Sequence, residues 1–280
     1  MKRVLTGTVW GIALLVMWLC QGTVLRVGLA AMMIEAVREM LQAFKKHGDR
    51  VCWWPAMAFA LLAMPAYACL GTIEVPIALL VGCCILGMVA VVLRGEADFH
   101  ALVSTLFPML YPGLLFLAVF ALQDLPDRSA QMCVALTFAL PCLCDVAAYE
   151  VGSRWGRHKL CPQLSPKKSV EGAVAGLLAS MIGAVLLNWM MPYLLGNAEM
   201  ASELPAWWSM LILGALAGVA GQCGDLVASL VKRYCGIKDY ANFLPGHGGI
   251  MDRFDSNLLC GSMIYVCFLF MQAIGAVSVL

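Results

Sequence analysis

Four aspartates sit where an apolar chain has little ordinary use for them. Asp145 closes the run ALTFALPCLCDVAAYEVG, Asp225 lies inside LILGALAGVAGQCGDLVASLVKR, and Asp252 and Asp255 open the last apolar segment. A carboxylate within a membrane segment is costly and usually marks a substrate or ion path. Asp225, Ser229 and Lys232 fall at i, i+4 and i+7, and Asp252, Asp255 and Ser256 at i, i+3 and i+4, so each set shares a helix face. Carboxylates converging from two helices make a hard oxygen site suited to Mg²⁺. That ion commonly shares its coordination with the phosphate oxygens of a substrate.

Basic residues flank this acid. RWGRHKLCPQLSPKKS carries Arg154, Arg157, His158, Lys159, Lys167 and Lys168, and the next polar stretch adds Lys232, Arg233, Lys238 and Arg253. A basic loop alone is more often a topology signal or an anionic-lipid contact. Beside a carboxylate cluster it points to a phosphate-rich substrate with a bridging metal. Gly246, Gly248 and Gly249 surround His247 and allow close backbone approach. Backbone N–H groups opening the last helix could then face a phosphate. His247 could be a general base, a phosphate ligand or a loop brace. A phosphate monoester is already anionic near neutral pH, which favours the last two roles.

These groups must be positioned by membrane helices. Of the 280 residues 62% are hydrophobic, 12% are charged, and the mean hydropathy is +0.86. The expected fold is all-α, a polytopic helical membrane bundle with spans near 4–22, 24–44, 52–71, 73–93, 104–123, 129–151, 170–195, 207–231 and 253–279. The span near 24–44 is partly amphipathic. MKRVLTGTVWGIALLVMWLC reads as the first membrane helix, not a cleaved signal. Nine spans place every Lys and Arg except Arg26 and Arg128 on one side, whereas the 196–206 segment GNAEMASELPA carries two Glu and no base. The basic side is therefore expected to be cytoplasmic. Residues 1–128 are expected to form N-terminal membrane helices. Residues 129–280 are expected to be catalytic, with cytoplasmic loops 152–169 and 232–252. Most of the 13 Cys lie in apolar runs without a CxxC pair, so they read as small apolar residues and not as zinc or redox groups. The pairs Gly172/Gly176 and Gly214/Gly218 read as close helix packing, and Gly221 and Gly224 leave room for a helix or a substrate beside Asp225. The net charge of +1 gives no reason to expect a nucleic-acid partner.

The stretch SLVKRYCGIKDYANFLPGHGGIMDRFD, residues 229–255, resembles the signature of phosphatidate cytidylyltransferases (CDP-diacylglycerol synthases). The matching positions are Ser229, Lys232, Arg233, Lys238, Asp239, Pro245, His247, Gly248, Gly249, Asp252, Arg253 and Asp255. Upstream, CDVAAYEVGSRWGRHKLCPQLSPKKSVEG is similar to the family's second block through Asp145, Tyr149, Gly152, Gly156, Ser165, Pro166, Lys168, Ser169, Glu171 and Gly172. It departs at Val146–Ala147, which leaves Asp145 in less polar company, and at Ser169, where Thr is usual.

The resemblance implies a reaction in which CTP and phosphatidic acid give CDP-diacylglycerol and pyrophosphate. It places a divalent cation, Mg²⁺ or a similar ion, on Asp225 and Asp252. It implies catalytic roles for those two and for Lys232, Arg233, Lys238, Asp239, His247, Arg253 and Asp255. Substrate-binding roles fall to Asp145, Ser165, Lys167, Lys168, Ser229, Gly248 and Gly249. The expected setting is a bacterial inner membrane with the site facing the cytoplasm, and a homodimer is compatible with it. Two rivals are a CTP-dependent lipid-alcohol kinase and an ion or proton transporter. The first lacks the full signature string. The second would place its carboxylates near the midplane.

Overall fold

A computed structural model describes residues 11–12, 15–20, 22–95, 97–125, 127–194, 205–241 and 248–273. The described elements are α1 (Gly22–His47), α2 (Trp53–Leu70), α3 (Glu74–Val92), α4 (Phe99–Pro108), α5 (Leu115–Ala121), α6 (Asp127–Trp155), β1 (Lys159–Cys161), β2 (Ser165–Ser169), α7 (Val170–Leu194), α8 (Trp207–Tyr234) and α9 (Met251–Ala273). Seven helical segments among them are long and apolar enough to cross a bilayer, as expected of an integral membrane protein. Their limits follow the sequence reading closely. The expected span 4–22 lies largely outside the described residues. The expected span 24–44 is helical as α1 but is not one of the seven, because Arg26, Glu35, Arg38, Glu39, Lys45 and Lys46 interrupt its apolar character. Seven of the nine expected spans are thus found among the described residues.

The chain divides into two compact units, residues 1–121 with 231–254 and residues 122–230 with 255–280. In the first, α1 supplies much of the core through Met33, Ala36, Val37, Met40 and Leu41. Phe44 meets Phe107 and Tyr234 edge-on, with ring centres 6.3 and 6.2 Å apart. The expected span 104–123 is not one regular helix. After α4 the chain passes through a wide turn, Met109–Leu114, before α5 resumes. Pro112 is the cause: its ring crowds the preceding residue out of helical geometry, and Tyr111 is extended at φ −130°, ψ 103°.

The second unit is built on close helix approach. A Cβ on Gly172 or Gly176 would come within 2.6 and 2.8 Å of the carbonyl oxygens of Ala148 and Cys144, so these glycines let α7 lie directly on α6. Gly214 and Gly218 do the same for α8 against Ser180. Gly224 presses onto the carbonyl of Asp255, so the space beside Asp225 is taken by a helix. Interhelical hydrogen bonds fix the arrangement. The Gln222 side-chain amide donates to the Ala173 carbonyl at 2.9 Å and that of Asn257 to the Thr137 carbonyl at 3.0 Å.

One element departs from an all-α bundle. The expected loop 152–169 begins inside α6 and ends in an antiparallel hairpin, with Lys159 opposite Ser169 and Cys161 opposite Ser165. Its strands are short and polar, so apolar alternation could not reveal them. Ser169 closes the hairpin and caps α7, its Oγ accepting the Gly172 N–H at 3.1 Å. Glu171 fastens the hairpin's entry, its Oε1 lying 2.7 Å from His158 Nδ1 and 3.2 Å from the N–H that His158 donates.

Candidate active site

In the first unit the site is organised around Asp252, in the first turn of α9. Its Oδ1 lies 3.0 Å from Lys232 Nζ, and its Oδ2 accepts the N–H groups of Tyr240 at 2.8 Å and Gly249 at 3.0 Å. The Asp252 side chain is only 4% exposed and that of Lys232 15%. Lys232 also stands over the Tyr240 ring, 5.6 Å from its centre. Gly248 adopts φ +82°, and a Cβ there would sit 2.7 Å from Asp252 Oδ2. That position therefore requires glycine twice over, for its backbone angle and for the carboxylate packed against it.

The sequence reading left the backbone donors that open α9 free to face a phosphate, and two of them are held by a carboxylate of the protein itself. Ile250 stands at the helix N-cap with no side-chain oxygen, and Glu39 of α1 takes that part. Its Oε1 accepts the Ile250 N–H at 3.0 Å and its Oε2 the Met251 N–H at 2.9 Å. Sequence reasoning missed Glu39. The available signal was an acid set among the apolar positions Ala36, Met40 and Ala43 on one stripe of α1. Tyr240 was missed too, although it lies inside the signature. Arg233, Lys238, Asp239 and Arg253 are exposed at the surface of this unit. His247 lies outside the described residues.

The second unit holds the other acidic centre. Lys168, from β2, forms an ion pair with Asp225 Oδ2 of α8, and Ser229, one turn on, reaches Asp225 Oδ1 at 3.5 Å. Asp225 and Lys168 are 28% and 27% exposed. Asp145 lies on α6, in the same unit. The strand separates two neighbouring lysines: alternation turns Lys168 inward onto Asp225 and leaves Lys167 exposed. Ser165 begins β2, opposite Cys161, and is not drawn to Asp225 by any described contact. Asp255 is occupied within α9, its Oδ1 accepting the Ser256 N–H at 2.8 Å and the Ser256 hydroxyl at 3.4 Å.

Among the described residues no three His, Cys, Asp or Glu side chains are gathered as a metal cluster. The donor chemistry nonetheless fits a hard cation held through few protein ligands. A carboxylate offers about four lone-pair sites. Among the described residues, Lys232 takes one of those on Asp252 Oδ1, and Asp225 Oδ1 has only the long contact from Ser229. Mg²⁺ typically takes one or two carboxylates and completes its shell with water and phosphate.

A model of the cytidylyltransferase family matches residues 1–271. The chain belongs to the cytidylyltransferase family. Among its relatives is a phosphatidate cytidylyltransferase of Staphylococcus haemolyticus (strain JCSC1435), 32% identical over 163 residues that cover 58% of this chain and 57% of the relative. Proteins of the same name from Staphylococcus saprophyticus and Bacillus subtilis (strain 168) are 41% and 40% identical over 123 and 122 residues. These matches cover 44% and 43% of this chain and 44% and 41% of the relatives. The chain thus spans about half the length of the curated relatives it matches. Residues of the two blocks build both acidic centres: Ser229, Lys232, Gly248, Gly249 and Asp252 from the 229–255 block, and Lys168 from the upstream one.

Proposed function

We propose that this protein transfers the cytidylyl group of CTP to phosphatidic acid, giving CDP-diacylglycerol and pyrophosphate, at the cytoplasmic face of a bacterial inner membrane. The observation that carries this reading is the pairing of each acidic centre with a signature lysine, Lys168 with Asp225 and Lys232 with Asp252. A group that brings both a cation and several phosphate oxygens answers both halves of such a pair. A magnesium nucleoside triphosphate is that kind of group. Relatives named phosphatidate cytidylyltransferase supply the acceptor.

In this reading a phosphate oxygen of phosphatidic acid attacks the α-phosphorus of CTP. The bond to the bridging oxygen of the β-phosphate breaks, and pyrophosphate leaves with that electron pair. The nucleophile is already an anion, so no side chain need remove a proton. Lys168 and Lys232 are assigned to phosphate oxygens, with the exposed Arg233, Lys238 and Arg253 arriving from the water side. Asp225 and Asp252 are assigned to the divalent cation, which when bound neutralises charge on the nucleotide and the leaving pyrophosphate. Positioning and electrostatics account for most of the acceleration. The acyl chains remain in the bilayer, which is why a nucleotide enzyme is built from membrane helices.

The test is product formation by detergent-purified protein supplied with labelled CTP, phosphatidic acid and Mg²⁺. CDP-diacylglycerol and pyrophosphate are expected in equal amounts. Turnover with lipid alcohols and none with phosphatidic acid would overturn the acceptor, and failure to bind CTP would overturn the reaction class.

A further inference from the structure

We infer that Glu39 is a positioning residue for Asp252, acting through the backbone at the start of α9 without touching substrate. This rests on the role proposed above for Asp252. Four observations within one unit carry it. Glu39 is fully buried at 0% exposure, and both its oxygens are used, on the N–H groups of Ile250 and Met251. Those two residues immediately precede Asp252. Ile250 cannot cap its own helix, so the acceptors for the N–H groups at the helix N-terminus come from a side chain more than two hundred residues earlier. The neighbouring Gly249 is pressed so closely on the Glu39 carboxylate that a Cβ would overlap both oxygens, while its own N–H donates to Asp252 Oδ2.

The short stretch from Gly248 to Asp252 is therefore held from two sides. Glu39 fixes its backbone, and Asp252 folds back onto the N–H groups of Gly249 and Tyr240. With the backbone fixed, the Asp252 carboxylate is left little rotational freedom, and Oδ1 is presented to Lys232. Preorganisation of this kind, by a group behind the one that acts, typically changes affinity or rate roughly 10–100-fold when lost. It also explains two adjacent glycines in the signature on steric grounds: one accommodates Asp252 and the other Glu39.

Glu39→Gln is the direct test, because it keeps shape while replacing one acceptor with a donor that opposes an N–H. Glu35→Gln is the control: it lies on the same helix, paired with Arg38. Two readouts are taken on purified protein. Amide hydrogen exchange is followed across residues 248–255 and across α1, and rate is followed against Mg²⁺ concentration. The expected result for Glu39→Gln is faster exchange confined to 248–255, a kcat lower by roughly 10–100-fold, and a higher Mg²⁺ requirement, with the control unchanged. Gly249→Ala, which displaces the same carboxylate from the other side, is expected to give the same pattern. Normal exchange at 248–255 in Glu39→Gln would overturn the inference, as would loss of protection throughout α1 or a normal Mg²⁺ response. The exchange readout does not depend on turnover. A wild-type protein that makes no CDP-diacylglycerol would sink the proposed reaction and leave the exchange result to judge Glu39.

Discussion

Asp252 and Asp225 are the same residue paired with the same partner type, yet they are held in different ways. Asp252 is 4% exposed and among the described residues takes three donors, two of them backbone N–H groups. Asp225 is 28% exposed, and among the described residues it is held by side chains alone, a lysine on a hairpin and a distant serine. A backbone-held carboxylate is fixed before any ligand arrives. One held by side chains can exchange its partner for a ligand at little cost, because an exposed ion pair contributes only about 0–1 kcal/mol. In the proposed reaction Asp252 would set geometry and Asp225, with Lys168, would adapt to what binds.

The largest expected effect is on rate. Asp252→Asn keeps size but removes charge, and initial rates of CDP-diacylglycerol formation should fall roughly 10²–10³-fold. Stability should separate the two centres more sharply. Asp252→Ala strands Lys232 in a nearly buried place, at a cost of about 3–5 kcal/mol. Asp225→Ala leaves a lysine that can turn to water, at a cost below about 1 kcal/mol. Unfolding midpoints in one detergent would compare them, and equal losses would erase the distinction. Next come the neighbouring lysines. Lys168→Ala should lower kcat/KM for CTP by about 10–100-fold, the worth of one charged hydrogen bond. Lys167→Ala, on the opposite strand face, should change it less than about threefold. The smallest effect is expected from Ser229→Ala. Its 3.5 Å contact is too long to contribute more than about 0.5 kcal/mol. A large loss there would mean that Ser229 meets substrate directly.

Much of this was legible beforehand, for identifiable reasons. The limits of α2, α3, α7 and α8 could be read to within a few residues because their apolar runs end abruptly at turns or charge. The members of the two ion pairs, Lys168 with Asp225 and Lys232 with Asp252, were conspicuous too, since Asp and Lys are costly in such a chain. What was not legible depends on three-dimensional pairing. The hairpin that carries Lys168 is too short and polar to show alternation. The break at Tyr111 had a visible cause in Pro112, but hydropathy averages over it. Glu39 was hidden because nothing in α1 shows that its partners are the amides of Ile250 and Met251. For the same reason the glycines beside His247 suggested a waiting phosphate cradle, whereas Gly248 and Gly249 already pack against protein carboxylates.

The most direct test of the account is the Mg²⁺ dependence of CDP-diacylglycerol formation by the wild-type protein beside folded Asp225→Asn and Asp252→Asn. The account predicts saturable dependence in the wild type, no product with a chelator present, and loss of rate with weakened Mg²⁺ response in both variants. Wild-type rates in either variant, or product formed in the presence of the chelator, would contradict it.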